Sequence, residues 1–139
     1  MNPRVSIITS IYKGEKYIAH FLDDITRQTI FNDCELVLLN ANSPENEKEL
    51  IEPFLKKYDN IKYFELNVDP GIYAVWNLGV ESSSAEYITN ANVDDSKAPW
   101  CLEEQAFTLD NNPEIDLVYG ETLETMTPLE TFLQNTAAQ

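Results

Sequence analysis

Two adjacent carboxylates, Asp94 and Asp95, follow an apolar stretch in the segment TNANVDDSK. Adjacent acids repel each other and resist burial, so either a ligand offsets the repulsion or the pair faces water. Hard divalent cations prefer oxygen ligands, and Mg2+ commonly binds one or two carboxylates together with substrate phosphates. The pair therefore fits a Mg2+ or Mn2+ site for a diphosphate ligand. The alternative is a solvated turn in which Asp95 or Ser96 caps the helix that follows.

The net charge of the chain favours a local cation at any phosphate site. The 139 residues carry 24 acidic and 9 basic side chains, which gives a formal net charge of −15 at pH 7. A surface this acidic repels nucleic-acid backbones and anionic lipids, so no nucleic-acid partner is expected. A ligand that carries phosphates would need local neutralisation, and a bound divalent cation would provide it.

Two further segments carry polar side chains at positions suited to ligand binding. Asn40, Asn42 and Ser43 end a second apolar run, and amide side chains can read the hydrogen-bonding edges of a base or sugar. Turn and N-cap chemistry is the alternative for Asn40 and the expected role of Ser43. In DPGIYAVWN, Gly71 permits a close backbone approach, and Asn77 is a poor helix former that should make a specific hydrogen bond.

Several other chemistries lack the residues they need. His20 is the only histidine and lies within a helical pattern, so no Ser-His-Asp or Cys-His site can be assembled. The sequence has no G-x-G-x-x-G and no G-K-[ST] loop, which removes support for dinucleotide and P-loop sites. Cys34 and Cys101 lie far apart and are predicted to be free thiols in a reducing compartment.

The elements that would position these residues alternate between strands and helices. Strands are predicted in RVSIITSIY, CELVLLN, IKYFELN, AEYITN and EIDLVYG. Helices are predicted in GEKYIAHFLDDITRQ, in the segment that Ser43 and Pro44 open, in IYAVWNLGVESS and in APWCLEEQAFTLDNN. Pro53 falls inside the second helix and predicts a kink or an early break. The order indicates a one-domain α/β fold with a mostly parallel sheet sandwiched by helices.

In such sheets, ligands bind beyond the carboxyl ends of the strands. The predicted strand ends TSIYK, NANS and TNANVDD are all polar, and we expect them to meet at one edge of the sheet. The tail TPLETFLQNTAAQ is expected to be weakly structured. No signal-peptide core and no apolar run of transmembrane length is evident, so we expect a soluble, cytoplasmic protein.

In this order, the motifs resemble those of family 2 glycosyltransferases with the GT-A fold, from about Arg4 to about Glu121. The family patterns V-S-I-I-x-x-x-Y-N-x-x-x-Y and Q-[ST] compare with VSIITSIYKGEKYI and Gln28-Thr29. D-D-x-S, D-x-G-I-Y-D-A-x-N-x-G and G-E-Y-I-x-x-x-[DN]-x-D-D compare with NANS, DPGIYAVWNLG and AEYITNANVDD, and NPEIDLVYG is a frequent family phrase. The resemblance implies a Rossmann-like nucleotide-diphospho-sugar transferase domain, the family's N-terminal half, at residues 1–121, followed by a tail at 122–139.

The resemblance also implies a metal and a donor. Asp94 and Asp95 match the D-x-D region that binds the metal, the diphosphate and the ribose, with Asn92 at its first position. The implied ligands are a UDP-, GDP- or dTDP-sugar with Mg2+ or Mn2+. The implied acceptor is a saccharide or a lipid-linked molecule, as in polysaccharide biosynthesis.

Five other residues match nucleotide-binding positions of the family. Thr9, Ser10 and Tyr12 correspond to the segment that lies along the base and ribose. Asn40 corresponds to the first acid of the second-strand motif, and Asn77 to the asparagine of the third motif. Together with Asn92 and Asp94, these residues form the predicted donor-binding set.

The sequence departs from the family pattern at three positions and in length. Ala41 replaces a base-reading aspartate, Asn92 replaces the first acid of D-x-D, and Lys13 replaces an asparagine. Only a short tail follows Gly120, whereas the family's second half carries the acceptor site and the catalytic base, so the resemblance assigns no catalytic residue. We expect a donor-binding domain of a glycosyltransferase, either part of a longer enzyme or naturally short. The alternative is a catalytically incomplete module for nucleotide-sugar binding or protein assembly, with an apolar face covered by another chain, as in a homo-oligomer.

Overall fold

The computed structural model describes residues 2–135. Helices and strands alternate along the chain as β1 (Val5–Ile11), α1 (Ile18–Ile25), a 3-10 helix (Phe31–Asp33), β2 (Cys34–Asn40), α2 (Glu47–Lys57), β3 (Ile61–Glu65), α3 (Ile72–Glu81), β4 (Tyr87–Asn90), α4 (Cys101–Asn111) and a second 3-10 helix (Phe132–Gln134). The strands form one sheet in the order β3-β2-β1-β4, and every pairing is parallel. The predicted α/β fold is confirmed.

The register of the sheet brings three strand ends to one edge. Ile11 at the end of β1 lies opposite Asn40 at the end of β2, and Ile8 of β1 lies opposite Asn90 at the end of β4. All three strands run in the same direction, so the loops that follow them leave from the same side. We call residues 12–14, 40–43 and 91–95 the carboxyl rim.

Both faces of the two central strands, β1 and β2, are covered, which explains why these strands are apolar on both sides, whereas β3 and β4 are partly exposed. The main cluster packs one face against α1, α2 and α4; its fully buried members include Ile7, Ile11, Leu36, Leu38, Ile18, Leu22, Ile51 and Leu102. The opposite face packs Ile8, Val37 and Leu39 against Val75 of α3. The smaller cluster therefore fixes α3 to the centre of the sheet.

The second helix differs from its prediction at both Ser43 and Pro53. It begins at Glu47, with Asn46 as the N-cap residue, whereas the Ser43 hydroxyl accepts from the Lys13 N–H and donates to the Glu47 side chain. Of the predicted kink or early break at Pro53, the break is wrong, since the helix continues to Lys57, and the kink stays a prediction. The proline removes one helical donor, and its position is exposed, so water can satisfy the carbonyl left without a partner.

The predicted fifth strand, EIDLVYG, is wrong. Residues 114–120 have no regular structure, and the side chains of Leu117 and Tyr119 are 73% and 85% exposed. An apolar run forms a strand when its faces are buried, and within residues 2–135 this one is mostly exposed, with Val118 half-buried. Part of the predicted weak tail forms the second 3-10 helix, and residues 136–139 lie outside the described residues.

Two further expectations concern the thiols and the membrane. Cys34 is buried, Cys101 is half-buried, and both are free, as predicted. Across residues 2–135, no helix is both long and apolar enough to span a bilayer.

Candidate functional site

The conformation of the turn after β1 is fixed by hydrogen bonds that its backbone N–H groups donate. Lys13 adopts a positive φ of 52°, and its N–H donates to the Ser43 hydroxyl at 2.9 Å. The next N–H, that of Gly14, donates to Glu47 Oε1 at 2.8 Å. The first bond joins the first rim loop to the second, and the second bond joins the first rim loop to the start of α2, across 30 and 33 residues of sequence.

Glu47 was not predicted to contribute to the site. Its carboxylate is fully buried, and Oε1 also accepts a hydrogen bond from the Ser43 hydroxyl at 2.7 Å. Within the described part of the chain, Oε2 has no hydrogen-bond partner. In the sequence, Glu47 is one of several acids in the surface-like run ENEKELIE, so no local pattern marks it as buried.

Asn40 shows the turn chemistry that the sequence left open. Its Oδ1 accepts from the Ser43 N–H at 2.8 Å, and its Nδ2 donates to the Tyr63 hydroxyl at 3.1 Å. Both Asn40 and its neighbour Ala41 are buried. Burial raises the pKa of the Tyr63 phenol, so it stays protonated and can donate to Glu65 at 3.3 Å. Asn40 therefore shapes the second rim loop from within.

The third rim loop carries the two aspartates. Asn92 Nδ2 donates to Asp95 Oδ2 at 2.9 Å, and the Asp95 N–H donates back to the Asn92 carbonyl at 3.2 Å. Asn92, Asp94 and Asp95 are all exposed. Helix α4 begins at Cys101 with Trp100 as its N-cap residue, so the alternative in which Asp95 or Ser96 caps it is wrong.

Two side chains, one in α1 and one shortly after it, position the segment that follows this loop. The Ser96 hydroxyl donates to Asp24 Oδ2 of α1 at 2.9 Å. The buried side chain of Gln28 donates to the Ala98 carbonyl at 2.8 Å and accepts from the Leu102 N–H at 3.2 Å. The Gln28-Thr29 motif thus positions the segment between the aspartates and α4.

The first and third loops are in contact. A Cβ placed on Gly14 would lie 3.6 Å from Cγ2 of Val93, so the turn after β1 packs directly against the loop after β4. Lys13 and Asp94 are the chain neighbours of these two contacting residues. The expectation that the polar strand ends meet at one edge is confirmed.

The remaining predicted site residues lie at different depths. Tyr12 is 48% exposed at the rim, and the Lys13 ammonium lies 5.6 Å from the centroid of its ring. Ser10 is half-buried, whereas Thr9 is fully buried on the opposite face of β1, and within residues 2–135 its hydroxyl has no partner. Asn77 is exposed on α3, on the side away from Val75. Its predicted hydrogen bond is not formed with any described residue.

The carboxylate oxygens at the rim suit a hard cation that also binds a phosphate ligand. No group of three or more His, Cys, Asp or Glu side chains is arranged to hold a metal within residues 2–135. Asp94 and Asp95 nevertheless offer exposed carboxylate oxygens, and Mg2+ commonly takes one or two carboxylates plus phosphate oxygens. The residues present therefore fit such a cation when a phosphate ligand completes its coordination.

A cavity of about 700 Å³ lies elsewhere, between β4, α3 and α4. Its lining includes Trp76, Ile88 and Leu102, but none of Tyr12, Asp94 or Asp95. The residues predicted from the sequence thus form an open surface at the rim rather than this cavity.

Comparison with known sequences gives one family and many relatives. Residues 6–129 match the profile of glycosyl transferase family 2. EpsJ of Bacillus subtilis (strain 168), an uncharacterized glycosyltransferase, is 30% identical over 95 residues, which cover 68% of this chain and 27% of EpsJ. The chain therefore spans about a quarter of that relative.

Comparison with solved structures supports the fold. The S. aureus TarS 1-349 complex with UDP-GlcNAc superposes with a TM-score of 0.73 at 22% identity, over 79% of this chain and 32% of TarS. The mannosyltransferase PcManGT of Pyrobaculum calidifontis, in complex with GDP-Man and Mn2+, gives a TM-score of 0.61 at 18% identity, over 67% and 28% of the two chains. At these identities, the superpositions establish a shared fold.

Proposed function

Because this chain belongs to glycosyl transferase family 2, we propose that its carboxyl rim is the donor site of a glycosyltransferase. The donor would be a nucleotide diphosphate sugar, bound together with Mg2+ or Mn2+ at Asp94 and Asp95. One observation carries the proposal: the loop with both exposed carboxylates packs against the turn that presents Tyr12 and Lys13. Groups that suit a cation, a phosphate and an aromatic base therefore lie along one edge.

Each rim residue has a distinct part in this proposal. Asp94 and Asp95 hold the cation, and Asn92 orients Asp95 through the 2.9 Å hydrogen bond. A bound divalent cation would stabilise the negative charge on the departing nucleoside diphosphate. The exposed ring of Tyr12 offers a surface on which a base can pack.

The buried residues of the predicted set have a supporting part. Thr9 and Asn40 shape the rim from below rather than touch the donor, since both are buried. Ser10 is half-buried, so it lies between the exposed and the buried residues of the set. Asn77 is exposed on the side of α3 away from Val75, and the proposal gives it no contact with the donor.

Two similar proteins support the ligand class. TarS has been solved with UDP-GlcNAc, and the Pyrobaculum mannosyltransferase with GDP-Man and Mn2+. For this chain, transfer to a saccharide or lipid-linked acceptor in polysaccharide biosynthesis, and a cytoplasmic location, are parts of the proposal. We assign no catalytic base.

Calorimetric titration with UDP, GDP and dTDP, each with and without Mn2+, tests the donor site. We expect at least one nucleotide to bind, with higher affinity when Mn2+ is present. Asp94→Ala combined with Asp95→Ala should abolish the Mn2+ effect. The control is Asp59→Ala combined with Glu81→Ala, which removes the same charge from exposed positions at the opposite edge of the sheet. Absence of binding by the parent, or equal loss in both double variants, would refute the proposal.

A second candidate, a protein-assembly module, is favoured by the apolar surface of α3. Ile72, Tyr73, Leu78 and Val80 are all exposed, although they belong to a helix that already packs Val75 onto the sheet. Exposed apolar surface of this kind can mark a protein interface. Metal-dependent release of free sugar from a nucleotide sugar would support the donor site. A tight dimer in sedimentation, with no hydrolysis and no nucleotide binding, would instead support the module.

A further inference from the structure

Lys13 has a backbone conformation that lysine adopts at a cost. Its φ of 52° lies in the left-handed region, which glycine, asparagine and aspartate enter more readily than residues with long side chains. The conformation is imposed from outside, because the Lys13 N–H donates to Ser43 and the next N–H donates to Glu47. The backbone therefore does not explain why a lysine occupies this position, and strain of this kind is characteristic of functional sites.

The Lys13 side chain differs from the other basic side chains without an ion pair in its position on the carboxyl rim. It is exposed, and it forms none of the four ion pairs found within residues 2–135, although the chain carries 24 acids. Its ammonium lies over the Tyr12 ring instead. Asp94 and Asp95, in the neighbouring loop, form no ion pair in this part of the chain either. Opposite charges therefore lie on one rim without neutralising each other.

We propose that Lys13 binds a phosphate of the donor, beside the cation at Asp94 and Asp95. This inference rests on the proposed donor site and adds a second positive group to it. A metal–diphosphate complex presents a cation to carboxylates and anionic oxygens to an ammonium, so it can occupy both kinds of group at once. In a chain with a net charge of −15, an extra positive charge at the phosphate also reduces long-range repulsion.

The position of Lys13 relative to Tyr12 makes the contact geometrically reasonable. The ammonium already lies 5.6 Å from the centroid of the Tyr12 ring. A base that packs on this ring would bring the attached phosphates within reach of the flexible lysine side chain. Lys13 would then act as a specificity residue for phosphorylated ligands over free nucleosides.

Substitution of Lys13 by asparagine separates the ligand contact from folding. K13N removes the charge and places a residue that tolerates the left-handed conformation. K16N is the matched control, because Lys16 is exposed in the same turn, and its ammonium lies 5.3 Å from the Tyr17 ring. K13R keeps the charge.

The experiment is a titration of the parent and these variants with the best-binding nucleoside diphosphate and with the corresponding nucleoside. It is run once with Mn2+ and once with EDTA, and binding is followed by two-dimensional NMR. We expect K13N to weaken nucleoside diphosphate binding about three- to tenfold under both conditions, with nucleoside binding unchanged. K16N should match the parent, K13R should retain most of the affinity, and the melting temperature of K13N should equal or exceed that of the parent.

Three outcomes would overturn the inference. If the parent binds the nucleoside diphosphate and K13N binds it equally well, Lys13 does not contact phosphate, but the donor site stands. If K13N weakens the nucleoside as much as the diphosphate, the lysine acts on the base through Tyr12. If the parent binds none of UDP, GDP and dTDP under either condition, the donor site and the inference both fail.

Discussion

Glu47 Oε1 accepts a hydrogen bond from the Gly14 N–H at 2.8 Å, across 33 residues of sequence. The same oxygen accepts from the Ser43 hydroxyl, and the carboxylate is fully buried. One side chain at the start of α2 thus holds the turn after β1 and the loop after β2 in a fixed relation. The shape of the rim depends on this acid as much as on the residues that face the solvent.

Glu47→Ala should destabilise the protein by about 2 kcal/mol, because it leaves the buried Gly14 N–H without its acceptor. Urea denaturation measures the free energy of unfolding. Glu49→Ala is the control, since Glu49 is exposed and lies in the same first turn of α2. Its effect should stay within about 0.5 kcal/mol. Equal effects of the two substitutions would show that the bond to Gly14 contributes nothing specific.

The order of strands and helices could be predicted from the sequence because each element carries its own apolar pattern. Polar ends on three strands were enough to predict a common rim, since parallel strands must end at the same edge. The strand prediction for EIDLVYG was wrong because the composition of a segment does not show whether other elements pack over it. A strand pattern in the sequence predicts that the segment is buried. Whether Leu117 and Tyr119 are buried depends on contacts with residues far away in the sequence, and both are exposed.

The supporting residues of the rim were harder to predict than the exposed ones. Asp94 and Asp95 could be singled out because they are adjacent acids, and Asn92 because it matches the first position of the D-x-D region; their role at a metal stays a prediction. Glu47 was missed because its burial follows from a contact with Gly14, which no local pattern encodes. Thr9 was matched to ligand contacts from its place near a strand end, and it is fully buried, so its contact with the donor stays a prediction.

Acid should unfold the protein in part through Glu35. Burial alone would raise its pKa, but hydrogen bonds from Lys62, Ser6 and Ser84 lower the pKa from 4.5 to about 2. A lowered folded-state pKa contributes stability that is present above pH 4.5 and is lost as the pH falls towards 2. The contribution is about 3 kcal/mol. The free energy of unfolding, measured by urea denaturation from pH 7 to pH 2.5, should fall across this window.

Glu35→Gln should reduce the fall in the free energy of unfolding at low pH (the acid limb), although it lowers stability at pH 7. The control is Glu65→Gln, which removes a solvent-exposed ion pair with Lys48 and should leave the limb close to that of the parent. An acid limb in the Glu35 variant as steep as the parent's would show that other groups account for the acid sensitivity.

The two thiols should react at different rates in the native protein. Burial, together with the charge of Asp33, raises the pKa of Cys34 to about 12, so almost no thiolate forms near pH 8. Cys101 is half-buried and more accessible. Iodoacetamide at pH 8 should therefore modify Cys101 first, as measured by peptide mass spectrometry, and Cys34 only in urea. Modification of both residues at the same rate without denaturant would contradict the buried position of Cys34.

Gly79→Ala should be destabilising although alanine is the better helix former. A Cβ at Gly79 would lie 2.3 Å from Cγ2 of Ile8, a core residue of β1, so α3 would have to move away from the sheet. Overpacking of this kind costs about 1–3 kcal/mol against a propensity gain of about 1 kcal/mol, so we expect a net loss of up to about 2 kcal/mol. Gly120→Ala is the control, because its nearest neighbour is 3.9 Å away. Ile8→Ala should relieve the clash. The double variant should therefore lose less unfolding free energy than the sum of the two single losses. Strict additivity in urea denaturation would show that α3 does not pack on β1 at this distance.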